Sequence, residues 1–130
     1  MDYCAFISKD FHYALVGVTT NEEKYGYRVL MDLHGAGFNI VGVNPKYCKV
    51  DGVLCYPALA DVPQKPDVVI FVVPPEVGVA MLPQLKVLGI TKAWFQPGAE
   101  SEAIRHKAAE LGIQARADGS CIMACRVRVV

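Results

Sequence analysis

The apolar positions of this chain fall into short unbroken runs, separated by stretches where they recur at helical spacing. Segments 12–18, 38–43, 67–73 and 92–95 are the unbroken runs. Each is long enough for a strand and too short for a helix. Apolar at nearly every position rather than at alternate ones, they suit strands buried on both faces of a parallel sheet. After the first run, Gly26, Val29, Leu30 and Leu33 follow one another at i, i+3, i+4 and i+7, predicting a helix over 21–34. Thr20 or Asn21 would cap it, with Thr20 and Glu23 as a capping box, and Gly35 and Gly37 would stop it. Gly78, Met81, Leu82, Leu85 and Leu88 predict a second helix opening at Pro75, which Pro83 should kink or split. A third is marked by Ile104, Ala108 and Leu111, with Ser101 as its cap and Gly112 as its end.

The remaining segments are weaker. Tyr3, Phe6 and Ile7 suggest a short amphipathic helix within 1–11. Short strands are expected at Val53–Tyr56 and Ile113–Ala115, with a helical turn near Ala58–Asp61. No linker, repeat or low-complexity tract divides the chain, so residues 1–130 are expected to form one domain. Alternating strands and helices predict an α/β fold: a doubly wound, mainly parallel sheet of about five strands, with helices on both faces. Ligands of such sheets bind beyond the carboxyl ends of the strands, where the strand order reverses. Four loops should meet there: 17–24, 44–49, 73–76 and 96–99.

Composition narrows the function more than the fold. With 53% hydrophobic and 20% charged residues, the 130-residue chain is compact-forming rather than disordered. Its 13 basic and 13 acidic residues leave no cationic stripe for a nucleic acid. No apolar run approaches the roughly 20 residues of a membrane span. Met1-Asp2-Tyr3 opens on an acid where a signal peptide carries positive charge, so the cytoplasm is the expected compartment. Five cysteines without CxxC spacing, far in sequence from the three histidines, point to reduced thiols and to no metal site.

The loops carry the candidate chemistry. A strand feeding a helix through Gly17, Val18, Thr19, Thr20 and Asn21 aims backbone amides at whatever lies above the turn, and a phosphate suits them. Lys24 could add charge, whereas Glu22 and Glu23 would already complement the helix dipole. The dinucleotide fingerprint G-x-G-x-x-G is absent. After the second strand, Asn44-Pro45-Lys46 places a lysine where an NAD site expects an acid. That lysine fits a ligand with a phosphate on its ribose, either NADP or coenzyme A. Val73-Pro74-Pro75 and Gln96-Pro97-Gly98 offer rigid, nearly uncharged backbone for a long flexible ligand to lie against. The histidines have no partner visible in sequence, and no catalytic residue is assigned.

Taken in order, Gly17-Val18-Thr19 through Lys24-Tyr25-Gly26, Val43-Asn44-Pro45-Lys46, Cys55–Pro63, Val72–Pro75, Trp94–Ala99 and Cys121-Ile122-Met123 resemble the small stand-alone CoA-binding proteins. Those are relatives of the N-terminal domain of the succinyl-CoA synthetase alpha subunit. The resemblance implies a Rossmann-like fold and CoA as ligand. It puts Val18, Thr19, Thr20 and Asn21 around the phosphate turn and Lys46 on a nucleotide phosphate. Val73 and Pro74 would border the adenine or pantetheine path, with Gln96, Pro97 and Gly98 beside the pantetheine. The synthetases also need a phosphorylated-histidine domain and an ATP-grasping partner, which these 130 residues do not contain. The expected function is therefore a non-catalytic binder of CoA or an acyl-CoA: a carrier, sensor or regulator, alone, as a homo-oligomer or with a protein partner. The alternatives are a small NADP-binding oxidoreductase and an interaction domain with a vestigial pocket.

Overall fold

The computed structural model describes residues 5–128. Seven strands form one sheet: β1 (His12–Val16), β2 (Asn39–Val43), β3 (Lys49–Val50), β4 (Val53–Tyr56), β5 (Val68–Phe71), β6 (Lys92–Phe95) and β7 (Gln114–Arg116). Their order is β3-β4-β2-β1-β5-β6-β7, parallel throughout except for β3 against β4. The helices are α1 (Tyr25–Gly35), α2 (Pro75–Leu88), α3 (Glu102–Leu111) and α4 (Ile122–Arg126), with a 3-10 turn at Leu59–Asp61.

The unbroken apolar runs are explained by a core on each side of the sheet. Tyr13 and Leu15 of β1, Val68 and Ile70 of β5 and Trp94 of β6 pack with Val29, Leu30 and Leu33 of α1 and Ile122 and Cys125 of α4. The alternate residues Ala14, Val16, Val69, Phe71, Ala93 and Phe95 pack with Leu82 and Leu85 of α2 and Ile104 and Ala108 of α3. Phe71 and Phe95 stack face to face across β5 and β6, their ring centroids 4.6 Å apart. A strand with helices on both sides needs an apolar residue at every position, because neither face meets water.

The chain runs outward from β1 through β2 to β4, then returns and runs the other way through β5, β6 and β7. The order therefore reverses between β1 and β5, and the turn after β1 stands at that switch point.

Several local expectations are corrected. Helix α1 begins at Tyr25, not Asn21, and its N-cap Lys24 makes no side-chain capping bond. Thr19 Oγ1 accepts from the Asn21 amide (3.2 Å) and Asn21 Oδ1 from the Glu23 amide (3.0 Å), so these residues close turns ahead of the helix instead of a capping box. Glu22 and Glu23 consequently lie outside the first helical turn and do not complement its dipole. Pro83 does not split α2, which is a single helix. The sheet has seven strands rather than about five, because a hairpin through Asp51 and Gly52, both at positive φ, adds β3 at one edge. Residues 5–11 hold no α-helix, although Phe6 and Ile7 are buried in the α1-side core; the rest of that expectation, on 1–4, lies outside the described residues. Ser101 caps α3 as expected, its Oγ accepting from the Ile104 amide at 3.2 Å.

Candidate functional site

The site grows out of Gly17, where β1 ends. Gly17 has φ +106°, and a Cβ on it would lie 2.2 Å from the carbonyl oxygen of Val72, the residue following β5. Only glycine lets the two strand ends come this close while turning the backbone. Gly26, the second residue of α1, is held as tightly: a Cβ there would stand 2.1 Å from the Gly17 carbonyl oxygen. The helix start is thereby pressed against the turn at the switch point; the Tyr27 and Arg28 amides turn back to the Lys24 carbonyl (3.2 Å each), and the Lys24 amide to the Asn21 carbonyl (3.0 Å).

The Asn44 loop is bolted to this turn. Asn44 Nδ2 donates to the Val18 carbonyl at 2.9 Å, and Asn44 Oδ1 accepts from the Lys46 amide at 2.9 Å. A polar recess of about 300 Å³ results, lined by Gly17, Val18, Thr19, Lys24, Gly26, Asn44, Lys46, Tyr47 and Val72. Beyond Val72 opens a second, largely apolar recess of about 470 Å³, formed by Tyr25, Val72, Val73, Pro74, Pro75, Pro97, Gly98 and Ala99. Val72 belongs to both, so the two make one groove along the carboxyl rim of β2, β1, β5 and β6.

Of the residues singled out from sequence, Gly17, Val18, Thr19, Lys24, Asn44 and Lys46 line the polar end, and Val73, Pro74, Pro75, Pro97 and Gly98 line the apolar end. Thr20, Asn21 and Pro45 belong to the same loops and are exposed. Gln96 does not line the groove. It is fully buried, its Oε1 accepting from the Ile122 amide (2.8 Å) and its Nε2 donating to Cys121 Sγ (3.3 Å). Its work is to seat α4 beneath the rim.

Sequence reasoning placed Tyr25, Tyr47, Val72 and Ala99 in these loops or motifs but gave them no part in the site. Tyr25 lies in the apolar recess, and its hydroxyl donates to the Cys121 sulfur, which pushes the Tyr25 phenol up to about 12. Burial works to raise the Cys121 thiol, but Tyr25, Gln96 and the backbone of Ala124 and Met123 together hold it below the ordinary thiol value. Tyr47 is held below the usual phenol range by Thr20 and Thr19 side chains and the Thr20 backbone. An aromatic directly after Lys24 and another directly after Lys46 were the available signals for the two tyrosines, but nothing in the sequence shows which way each turns.

A separate cavity of about 320 Å³ lies towards the amino ends of β1 and β2, against His12, Asn39, Tyr56 and Pro63. Among the described residues no group of three or more His, Cys, Asp or Glu could hold a metal, and no helix is long and apolar enough to cross a membrane.

This topology, with a groove at the reversal of strand order, defines a Rossmann-like α/β domain. The chain belongs to the CoA binding domain family, which it matches over residues 12–126. A conserved hypothetical protein of Pyrococcus furiosus is 42% identical with a TM-score of 0.82, covering 88% of this chain and 97% of its own. A hypothetical protein of Pyrococcus horikoshii is 28% identical with a TM-score of 0.83, covering 98% and 96%. The ADP-forming acetate–CoA ligase of Methanocaldococcus jannaschii is 33% identical over 69 residues, 53% of this chain. The match takes in only 10% of that ligase's length, so the chain corresponds to a small part of the curated relative. A dinucleotide-forming acetyl-coenzyme A synthetase of Ca. Korarchaeum cryptofilum, 24% identical with a TM-score of 0.67, shares the fold over 82% of this chain and 26% of its own.

Proposed function

We propose that this chain binds coenzyme A or an acyl-CoA along the rim groove, as a single-domain, non-catalytic carrier, sensor or regulator. The observation that carries the reading is the polarity of the groove. One end presents two lysines, Lys24 and Lys46, above a strand–turn–helix, and the other is walled by prolines, valines and alanine. Coenzyme A has the matching halves, a phosphorylated nucleotide and a long pantetheine arm. Membership of the CoA binding domain family supports the same ligand. In this reading Val18, Thr19, Thr20, Asn21 and the start of α1 hold the diphosphate, Lys46 takes the phosphate on the ribose, and the walls at Val73–Pro75 and Pro97–Gly98 guide the arm.

The binding-only role is supported by where the histidines stand. His12 opens β1 at the far end of the sheet, His34 is in the last turn of α1 and His106 is on α3, all away from the groove.

Thermal denaturation with CoA, NADPH and no ligand tests the reading. A ligand present at about 100 times its dissociation constant adds about 2.7 kcal/mol, which raises the midpoint by several degrees. CoA should do so and NADPH should not. A shift with NADPH alone would replace the reading with an NADP site, and no shift with either would leave the groove to a protein partner.

A further inference from the structure

A helix packed on a sheet by one face is expected to turn a polar face outward. Helix α3 does so: Ile104 and Ala108 are buried, while Glu102, Arg105, His106 and Glu110 are exposed. Helix α2 does not. Its core side is Gly78, Leu82 and Leu85. Glu76, Ala80, Pro83 and Val87 follow at i, i+4, i+7 and i+11, a line along the outward side, with Val77 and Lys86 on its two flanks. All six are exposed, Val87 by 84%. Four of them are apolar, and a helix apolar on every side is one that something covers. Glu76 in the first turn and Lys86 in the last are the only charged residues of α2. They are about 15 Å apart along the axis at 1.5 Å per residue, too far to pair within one helix. Neither makes an ion pair with another described residue.

We propose that the outward face of α2 is a two-fold dimer interface and that its occupant is a second copy of this chain. An apolar line with opposite charges at its two ends is complementary to itself. Laid antiparallel, two copies of α2 bring the last turn of each beside the first turn of the other. Val87 then packs near the partner helix's start, and Lys86 meets the Glu76 carboxylate from the same lateral side. Both ends of the pair gain this contact, as a two-fold axis requires. A parallel arrangement would set Glu76 beside Glu76 and Lys86 beside Lys86, so the charges select the antiparallel one. The axis falls close to Ala80, whose small side chain lets the helices approach. A foreign partner would not require opposite charges set symmetrically about the middle of the face; a second copy does. One helix pair with its flanks is a small interface, so the association is a weak one.

Sedimentation velocity of the unaltered chain over roughly 1 μM to 1 mM, the range of weak association, is the first measurement. The apparent mass should rise with concentration from one chain to two and no further. Glu76→Lys and Lys86→Glu should each weaken the dimer about fivefold or more, because two attractive pairs become two repulsive ones. Mixed in equal amounts, the two variants should pair with one another and regain the unaltered affinity, since each now carries a single sign of charge at both ends of the helix. Damage to the fold would not be repaired by mixing. Val87→Ser should weaken the dimer without any such rescue. A chain that stays monomeric throughout the range overturns the proposal and leaves α2 to a different protein. Growth beyond two copies, or a dimer indifferent to all three substitutions, overturns it as well. Weakening by both charge variants with no recovery in the mixture would show that Glu76 and Lys86 do not meet, and the antiparallel pair fails.

Discussion

A Cβ on Gly26 would stand 2.1 Å from the carbonyl oxygen of Gly17. Both partners are backbone, one in a helix and the other at a strand end, so neither yields as a flexible side chain would. Gly26→Ala should therefore push α1 away from the turn. The expected loss is about 2 kcal/mol or more, at the upper end of overpacking costs, despite the better helix propensity of alanine. Urea denaturation measures it. Whatever stability remains, CoA affinity should fall further than for Gly35→Ala, where a Cβ meets nothing within 4 Å.

Lys46 lies exposed at the polar end of the groove, held there through its own amide on Asn44. Its attraction for a ribose phosphate is screened by water and salt, so its effect should be moderate. Lys46→Ala should weaken CoA binding about five- to tenfold at low ionic strength, and less as salt is raised. Dephospho-CoA, lacking that phosphate, should bind the two proteins nearly alike. Equal affinity of both proteins for CoA itself would remove Lys46 from the site.

The doubly wound sheet was legible because burial on both faces writes itself as unbroken apolar runs, as in Val68-Val69-Ile70-Phe71. The convergence of the four loops followed from strand–helix alternation, which put Gly17, Lys46 and Pro74 on the loops whose recesses they line. What stayed hidden depended on side-chain direction. Gln96 belongs to a rim loop, yet turns inward to Cys121 and Ile122. Thr20 and Glu23 have the spacing of a capping box, but Asn21 closes a competing turn and the helix starts later. A pattern of residue types fixes which loops meet more readily than which atoms face inward.

Tyr25 and Cys121 bring the apolar end of the groove into contact with α4. The Tyr25 hydroxyl is among the groups that hold the Cys121 thiol below its ordinary value against the opposing effect of burial. Tyr25→Phe removes that bond and leaves burial to weigh more, so the thiol pKa should rise. A depressed folded pKa means more thiolate below the ordinary thiol range, and thiolate is the form that alkylates. In the unaltered chain, iodoacetamide should therefore modify Cys121 at lower pH than Cys55, whose thiol burial pushes up. Tyr25→Phe should move the Cys121 profile to higher pH. Mass-spectrometric rates between pH 6 and 10 check both; a profile unmoved by the substitution would deny Tyr25 its influence.

Tyr13 gives the fold a definite alkaline limit. Its side chain is buried in the α1-side core, its hydroxyl donating to the Phe6 carbonyl at 2.8 Å and accepting from the Ser8 amide at 3.0 Å. Burial, opposed by the Ser8 bond and aided by Asp67, pushes the phenol from 10.0 to about 12. The unfolded chain releases this proton near 10 and the folded chain only near 12. The stabilisation is thus complete below the unfolded value and is lost as pH rises through the window between them. A tenfold difference in proton affinity is worth about 1.4 kcal/mol, so the loss across the window is on the order of 2–3 kcal/mol. Tyr13→Phe should be less stable at neutral pH by about 1–3 kcal/mol, because two backbone groups lose their partner. Its stability should then fall less steeply than that of the unaltered chain between pH 10 and 12. Urea midpoints at half-unit intervals of pH measure the two slopes, and parallel slopes would show that Tyr13 does not set the limit.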